Sequence, residues 1–190
     1  MGKVRRRGGA IRVDLEAAEI VLLASLVSQV RDLLVADLTD ADAGGDSADP
    51  LAAIVGLPAG PASRPDDPVL ARLLPDAYRE DGEASDEYRR LMEGDLRAQK
   101  AGALQRVLDD LSGTGVRHGD GQRFELADEA VTPWLYALTD VRLALGTRLD
   151  VSEDVEADLA ALEPGSPELA AFAVYDWLGW LQNAVVEAAS

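Results

Sequence analysis

Apolar residues recur at spacings of three and four over most of this 190-residue sequence, and no feature limits its possible folds more than this helical period. Acidic or hydroxyl residues stand before several of the periodic stretches, as is common at the first turn of a helix. Helices are predicted over residues 14–36, 68–74, 85–111, 133–147, 152–162 and 166–188. The sequence therefore predicts a mainly α fold, a single domain of five to six helices.

Two short segments follow a different period, in which apolar and polar residues alternate. One is AIRVDL at residues 10–15 and the other is QRFEL at residues 122–126, and each stands just before an acidic helix start. Alternation of this kind is typical of a strand with one buried face. We predict that these two strands pair and give the helical domain a small two-stranded β element.

The start of the chain is basic, whereas the chain as a whole carries a net charge of −17. Residues 1–12 include Lys3, Arg5, Arg6 and Arg7 and contain no acidic residue, and we predict that they form a flexible arm. The strongly acidic remainder should repel nucleic acid, whose affinity comes largely from neutralised phosphates. Contact with phosphate is therefore expected at most through the arm; the alternative is a solvated terminus with no binding role.

The helical domain is predicted to cover residues 13–190, with one long interruption at residues 39–66. This interruption is rich in proline and glycine and is predicted to be a loop. Inside it, DPLAAIVGL at residues 49–57 has the Asp-Pro start of one or two helical turns. A loop of this length is either a lid over a site or a tolerated insertion, and we favour the insertion.

Cysteine and histidine, which often act in catalysis and metal binding, are scarce in this chain. It has no cysteine and one histidine, His118, which stands in a glycine-rich turn without a neighbouring partner in the sequence. The lack of cysteine excludes disulfides, thiolate zinc sites and a cysteine nucleophile of its own. The adjacent acids Asp109 and Asp110 do not face one ligand, because neighbouring helical side chains point apart. We therefore predict no catalytic, metal-binding or cofactor-binding residues, and no cofactor.

No targeting or membrane-spanning segment is recognised in the sequence. The longest apolar run, IVLLASLV at residues 20–27, is much shorter than the roughly 20 residues that a helix needs to cross a bilayer. Acidic residues also separate this run from the basic start, unlike in a signal peptide. A cytoplasmic protein is expected.

The segment LTDVRLALGTRL at residues 138–149 predicts an apolar helix that carries two arginines. On a helical wheel Arg142 and Arg148 lie at opposite edges of the apolar face, and Asp140 points away from it. Arginine keeps its charge in proteins, so Arg142 needs a carboxylate from another segment. The candidate partners are Asp76, Glu80 and Glu87. The structural interpretation is an ion pair between two helices; the functional one is a guanidinium that binds a carboxylate, a phosphate or an acidic protein.

Three runs in the sequence form an unusual combination, and they cover Arg72–Tyr78, Glu87–Arg90 and Leu138–Leu149. Together they resemble the AosR-like family of actinobacterial oxidative stress regulators, long catalogued as a domain of unknown function. The resemblance extends loosely over most of the chain, with the loop as its variable part. The motif residues, expected either to bind a partner or to form structural ion pairs, are Arg72, Asp76, Tyr78, Glu87, Arg89, Arg90, Asp140, Arg142 and Arg148.

The resemblance implies a transcription-associated regulator that contacts a sigma factor or RNA polymerase. It also implies redox control through two closely spaced cysteines, and this chain departs from the family there because it has none. We therefore predict a non-enzymatic, cytoplasmic regulator that acts by protein contact in a stress response, without its own thiol switch. The alternative is an uncharacterised enzyme or small-molecule-binding domain that uses the motif arginines.

The last predicted helix, residues 166–188, has apolar residues on more than one face. Ala170, Val174, Trp177 and Leu181 share one face, whereas other apolar residues lie off it. Either both faces are covered inside one domain, or the second face forms a homodimer or partner interface.

Overall fold

The architecture is taken from a computed structural model of the chain. The structure describes residues 2–41, 64–78, 81–113, 116–118, 121–152, 154, 155, 159 and 162–190. Most of the predicted loop lies outside these ranges, including the helical turns predicted at residues 49–57. The short helix predicted over residues 152–162 also lies largely outside them.

Helices dominate the described ranges, and a small sheet accompanies them. The strands are β1 (Lys3–Arg7), β2 (Ala10–Leu15), β3 (Val116–His118) and β4 (Gly121–Leu126). The helices are α1 (Ala17–Ala41), α2 (Pro68–Leu73), α3 (Gly82–Ser112), α4 (Asp128–Arg148) and α5 (Pro167–Ala189). The predicted mainly α fold is confirmed, with five helices in the described part of the chain.

The sheet is antiparallel and has the strand order β1-β2-β4-β3. The predicted pairing of β2 with β4 is confirmed, and Val13 lies opposite Phe124 in its register. Ile11, Val13 and Leu15 are buried on one face, as their alternation indicated. The prediction of only two strands was too small, because one further strand pairs on each side of this central pair.

The prediction of a flexible arm over residues 1–12 is wrong for most of that segment. Residues 3–7 form β1, which pairs with β2 through a turn at Gly8 and Gly9. Both glycines have positive φ, 61° and 89°, as a tight hairpin turn requires. The basic side chains hid the strand from the sequence pattern, although charged residues are common on edge strands because they discourage aggregation.

The core lies where α1, α3 and α4 pack together and where α1 and α4 contact strand β4 of the sheet. Trp134 of α4 is fully buried and its ring centroid lies 5.4 Å from that of Phe124 in β4. The indole Nε1 of Trp134 donates a hydrogen bond to Asp110 of α3 at 2.8 Å, so this large side chain is both buried and satisfied. Helix α4 is therefore the central element of the domain.

The last helix packs against α4 and the sheet, and Ser166 caps it as expected by accepting from the backbone N–H of Leu169. Its buried residues include Phe172, which the helical period placed off the buried face, and Leu181, which it placed on it. Val186 is exposed. The apolar side chains of α5 are thus buried to different degrees, and its tryptophans are half-buried at the edge of the contact.

Two helix starts differ from their predicted positions. Helix α3 begins one turn earlier than expected, because Asp81 and not Ser85 caps it by accepting from the N–H of Ala84. Helix α4 begins at Asp128, so Pro133 lies inside it. The missing N–H of Pro133 leaves a backbone carbonyl without its helical partner only in the exposed first turn, where water can replace it.

Candidate functional site

A row of charged side chains runs along the inner face of α3 and contains Arg89 of the second sequence motif. Arg89 is 6% exposed and donates to Asp76 and to Glu93, each at 2.6 Å. Glu93 also accepts from Arg97, which is 4% exposed and donates to the backbone oxygen of Leu34 in α1. Opposite charges therefore alternate along this face, and each carboxylate lies between cations or beside one.

The electrostatic balance of Arg89 shows how this row is stabilised. Burial opposes its charge, but hydrogen bonds to Glu93 and Asp76 more than compensate and raise the pKa of Arg89. Its two terminal nitrogens also approach the oxygen of Leu74, at 3.3 and 3.4 Å. Arg89 thus ties the segment after α2 to α3 and stays fully charged.

The same segment is attached to α3 at a second point. The hydroxyl of Ser85 donates to the oxygen of Tyr78 at 2.7 Å and accepts from its N–H at 3.0 Å. The rings of Tyr78 and Tyr88 meet edge to face, with 6.3 Å between their centroids. Both tyrosines are about half exposed. The motif run that ends at Tyr78 is therefore held on the surface of α3.

Asp140 is buried, at 3% exposure, and accepts from the ammonium of Lys100 in α3 at 2.6 Å. Burial raises its pKa, while the hydrogen bond and charge of Lys100 act in the opposite direction. Its second oxygen, Oδ2, is buried and has no hydrogen-bond partner in the part of the chain that the structure describes. The sequence placed Asp140 away from the apolar face, but packing of α3 against α4 covers it.

Arg142 does not contact Asp76 or Glu87, the predicted carboxylates that the structure describes. It donates to Gln182 of α5 at 2.8 Å, and its guanidinium lies 5.1 Å from the ring centroid of Tyr175. Asp76 instead pairs with Arg89, and Glu80 lies outside the described residues. The expectation was wrong because this face of α4 is turned to α5 and not to α3.

The remaining motif residues lie at the surface. Arg148 pairs with Asp67 at 2.8 Å, and Arg90 pairs with Glu87 at 2.8 Å. Arg72 is exposed near the end of α2. The motifs therefore divide into a buried group that holds helices together and an exposed group that is available for contact.

The four basic residues near the N-terminus do not form one patch. Strand alternation places Arg6 on the opposite face of β1 from its neighbours, where it pairs with Asp128 at 3.2 Å. Arg5 approaches Asp14, while Lys3 and Arg7 are exposed. Two of the four charges are thus partly neutralised by the chain itself, which weakens the case for a phosphate-binding arm.

Sequence reasoning chose the wrong face of α3 near its start. In the helix predicted over residues 85–111, the apolar spacing of three and four passes through Tyr88 and Met92, yet these side chains are 46% and 42% exposed. Lys100 was not singled out, although it faces Asp140. The signal was present in the spacing of Arg89, Glu93 and Lys100, which continues the buried apolar face of the second half of α3.

No group of three or more histidine or acidic side chains is placed to hold a metal ion among the described residues. No helix in those residues is both long and apolar enough to cross a membrane. The fold and the site together define a helical domain whose buried charges hold its own elements in place.

Comparison with known proteins places this domain in a family. The family model described as a domain of unknown function, DUF2017, matches residues 1–189. The chain therefore belongs to the DUF2017 family, and the resemblance inferred from the three motif runs is confirmed. No solved structure matches it.

The chain is also similar over most of its length to regulators from mycobacteria. It is 35% identical to the oxidative stress regulator AosR of Mycobacterium tuberculosis strain H37Rv and to that of Mycobacterium bovis, over 95% of this chain and 83% of each relative. A putative oxidative stress regulator AosR of Mycobacterium leprae is 34% identical, over 94% of this chain and 82% of the relative. These relatives are consistent with a regulatory role in a stress response.

Proposed function

We propose that this chain is a non-enzymatic, cytoplasmic regulator that acts in the oxidative stress response by binding a protein of the transcription machinery, a sigma factor or RNA polymerase. The observation that carries the proposal is its similarity, over 95% of the chain, to proteins named as oxidative stress regulators. This chain has no cysteine, so in our proposal the signal reaches it through its partner or through its own abundance.

The use of the charged motif residues supports contact rather than catalysis. Arg89 and Asp140 are buried and paired with groups of this chain, and Arg142 is half-buried against α5. A small molecule that bound Arg89 or Arg142 would have to break such contacts. In contrast, Arg72 and Tyr78 are exposed and leave the fold intact while a partner contacts them.

The direct test is reconstitution from purified components. The full chain is mixed with RNA polymerase core enzyme and, separately, with each stress sigma factor of the host, and complexes are measured by gel filtration with light scattering. We expect a stoichiometric complex with at least one of them, weakened in an Arg72→Glu variant but not in a Val21→Glu variant, which changes an exposed residue on α1. If the chain forms a complex with none of these components, the proposal is overturned.

The same measurement addresses self-association. A homodimer through α5 stays a prediction, and light scattering of the chain alone gives its mass. A dimer that dissociates when the exposed Val186 is changed to Glu would support that interface. A monomeric mass at all concentrations would refute it.

A further inference from the structure

Exposed apolar side chains are concentrated on one part of the surface. Tyr78, Tyr88, Leu91 and Met92 are between 42% and 52% exposed and lie on the first half of α3 or directly beside it. Monomeric proteins rarely leave large apolar side chains clustered without a partner, so this cluster marks an interaction surface.

Two clefts open along this surface and together form what we call the α3 groove. The first, about 200 Å³, lies between the segment after α2 and α3, and Tyr88 and Met92 line it. The second, about 240 Å³, lies between α3 and α4, and Tyr136 and Asp140 line it. Leu96 and Gln99 line both clefts, so the two clefts are adjacent along α3. Each cleft is smaller than the roughly 300–1,000 Å³ typical of small-molecule sites and suits a single large side chain.

The charged side chains around the groove indicate which charge its binding partner carries. Every basic side chain of α3 near the groove is already neutralised: Arg89 by Asp76 and Glu93, Arg90 by Glu87, Arg97 by Glu93, and Lys100 by Asp140. Glu83, Asp86 and Asp95, in contrast, are exposed and form no ion pair with any residue that the structure describes. The groove is therefore lined by apolar side chains together with charged pairs that neutralise one another, and Asp95, the acid without an ion pair among the described residues that lines it, leaves it negative.

The spacing of the clefts indicates the shape of the occupant. The α3 residues of the first cleft centre near residue 92 and those of the second between residues 99 and 100, a separation of about seven residues or about 11 Å along the helix axis at 1.5 Å per residue. A second helix lying along α3 would present side chains at this distance about seven residues apart. The buried Oδ2 of Asp140, which lacks a donor among the described residues, adds a preference for an N–H-bearing side chain in the second cleft.

We propose that the α3 groove binds a basic amphipathic helix of a protein partner, with two apolar or N–H-bearing anchor side chains about seven residues apart. The inference rests on the proposed function, since it specifies the contact that such a regulator would make. The apolar side chains that line the clefts would exclude water from the partner's anchors, and the exposed Asp95, with Glu83 and Asp86 earlier on α3, would attract lysines and arginines.

The test is selection of helical peptides from a phage-displayed library on the immobilised full chain, followed by fluorescence anisotropy with the enriched peptides. We expect enriched sequences to be basic, to carry anchors about seven residues apart, and to bind less tightly at higher salt. Tyr88→Lys and Tyr136→Lys, one in each cleft, should each weaken binding at least about tenfold, the change that loss of an anchor contact produces. Val21→Lys, an equally exposed position outside the groove, should leave binding unchanged.

The inference would be overturned if no peptide is enriched or if the enriched peptides are acidic or neutral. It would also be overturned if neither tyrosine substitution changes the peptide affinity. These results can be separated from failure of the proposed function. If the Tyr88→Lys variant binds polymerase or a sigma factor as well as wild type does, the proposed function is supported and the groove is not the binding site. If basic helices are selected but no such complex forms, the groove is a binding site for basic helices and the transcription machinery is not the partner.

Discussion

Replacing Arg89 with methionine tests whether the buried charged row of α3 is a structural element of this domain. The change keeps a long apolar side chain but removes the guanidinium that joins Asp76, Glu93 and the oxygen of Leu74. The two carboxylates would then remain beside an apolar neighbour. Glu93 would keep Arg97 and Asp76 would keep a longer contact with Arg64, at 3.7 Å, but the loss of a buried partner still costs more than the loss of an exposed pair.

The structure sets the expected size of the effect. Removing one partner of a buried ion pair typically costs about 3–5 kcal/mol of unfolding free energy. Here Glu93 keeps Arg97, and the side chain of Asp76 is 31% exposed and can recover some hydration. We therefore expect the lower end, about 3 kcal/mol, which for a domain of this size lowers Tm by roughly 6–12 °C.

The assay is urea unfolding followed by circular dichroism at pH 7, in low and in high salt. The matched control is Arg90→Met, the same substitution at the next motif residue, whose exposed pair with Glu87 should contribute little. The loss in Arg89→Met should persist at high salt, because buried pairs are screened less than exposed ones. Equal stability of the two variants would refute our assignment of Arg89 to the scaffold.

Three further predictions concern packing and titration. Gly121→Ala should destabilise the domain by roughly 1–3 kcal/mol, because a Cβ there would lie 2.1 Å from a backbone oxygen of β2. Gly102→Ala, with open space on α3, should instead stabilise it by roughly 0.5–1 kcal/mol, and equal shifts in urea unfolding would contradict this geometry. Asp67→Ala should cost roughly 0.5–2 kcal/mol at pH 7 because it removes the cap of α2. Burial opposes the ionisation of Asp67, but its backbone hydrogen bonds prevail and lower its pKa, so the difference from wild type should shrink as the pH falls below about 4. Asp140→Asn should show the opposite pH dependence of the unfolding free energy. Burial raises the pKa of Asp140 although Lys100 acts to lower it, so wild type should lose stability relative to the variant as the pH rises above about 4. A difference in stability that does not change with pH would contradict the raised pKa.

Much of the fold was predictable because its elements follow strong local periods. The long helices and the pairing of β2 with β4 follow from spacings of three to four and of two, which reflect backbone geometry alone. The cap at Ser166 was predictable for a related reason, since a hydroxyl before a helical run satisfies a free backbone N–H. Strand β1 was missed because its alternating positions carry arginine and lysine, which resemble a solvated arm as much as an edge strand.

The candidate site was harder to predict, because charged residues can occupy a buried face if they neutralise one another. The period of α3 allowed two adjacent faces, and the apolar one that begins at Tyr88 was the natural choice. In the structure Arg89 and Arg97 are buried instead, and Tyr88 is left exposed. The spacing along α3 indicates this face but does not show that its charges are neutralised, since the neutralising group Asp76 and the acceptor Leu34 belong to other elements.

The sequence by itself determined the helical class of this protein, its central strand pair, its negative charge and its family, because these depend on local periods, composition and long motifs. The tertiary structure decided what each motif charge does, because the energy of an arginine depends on which groups surround it and not on its place in a run. Arg89 became a buried tie between elements, Arg142 turned to α5, and Arg72 stayed free at the surface.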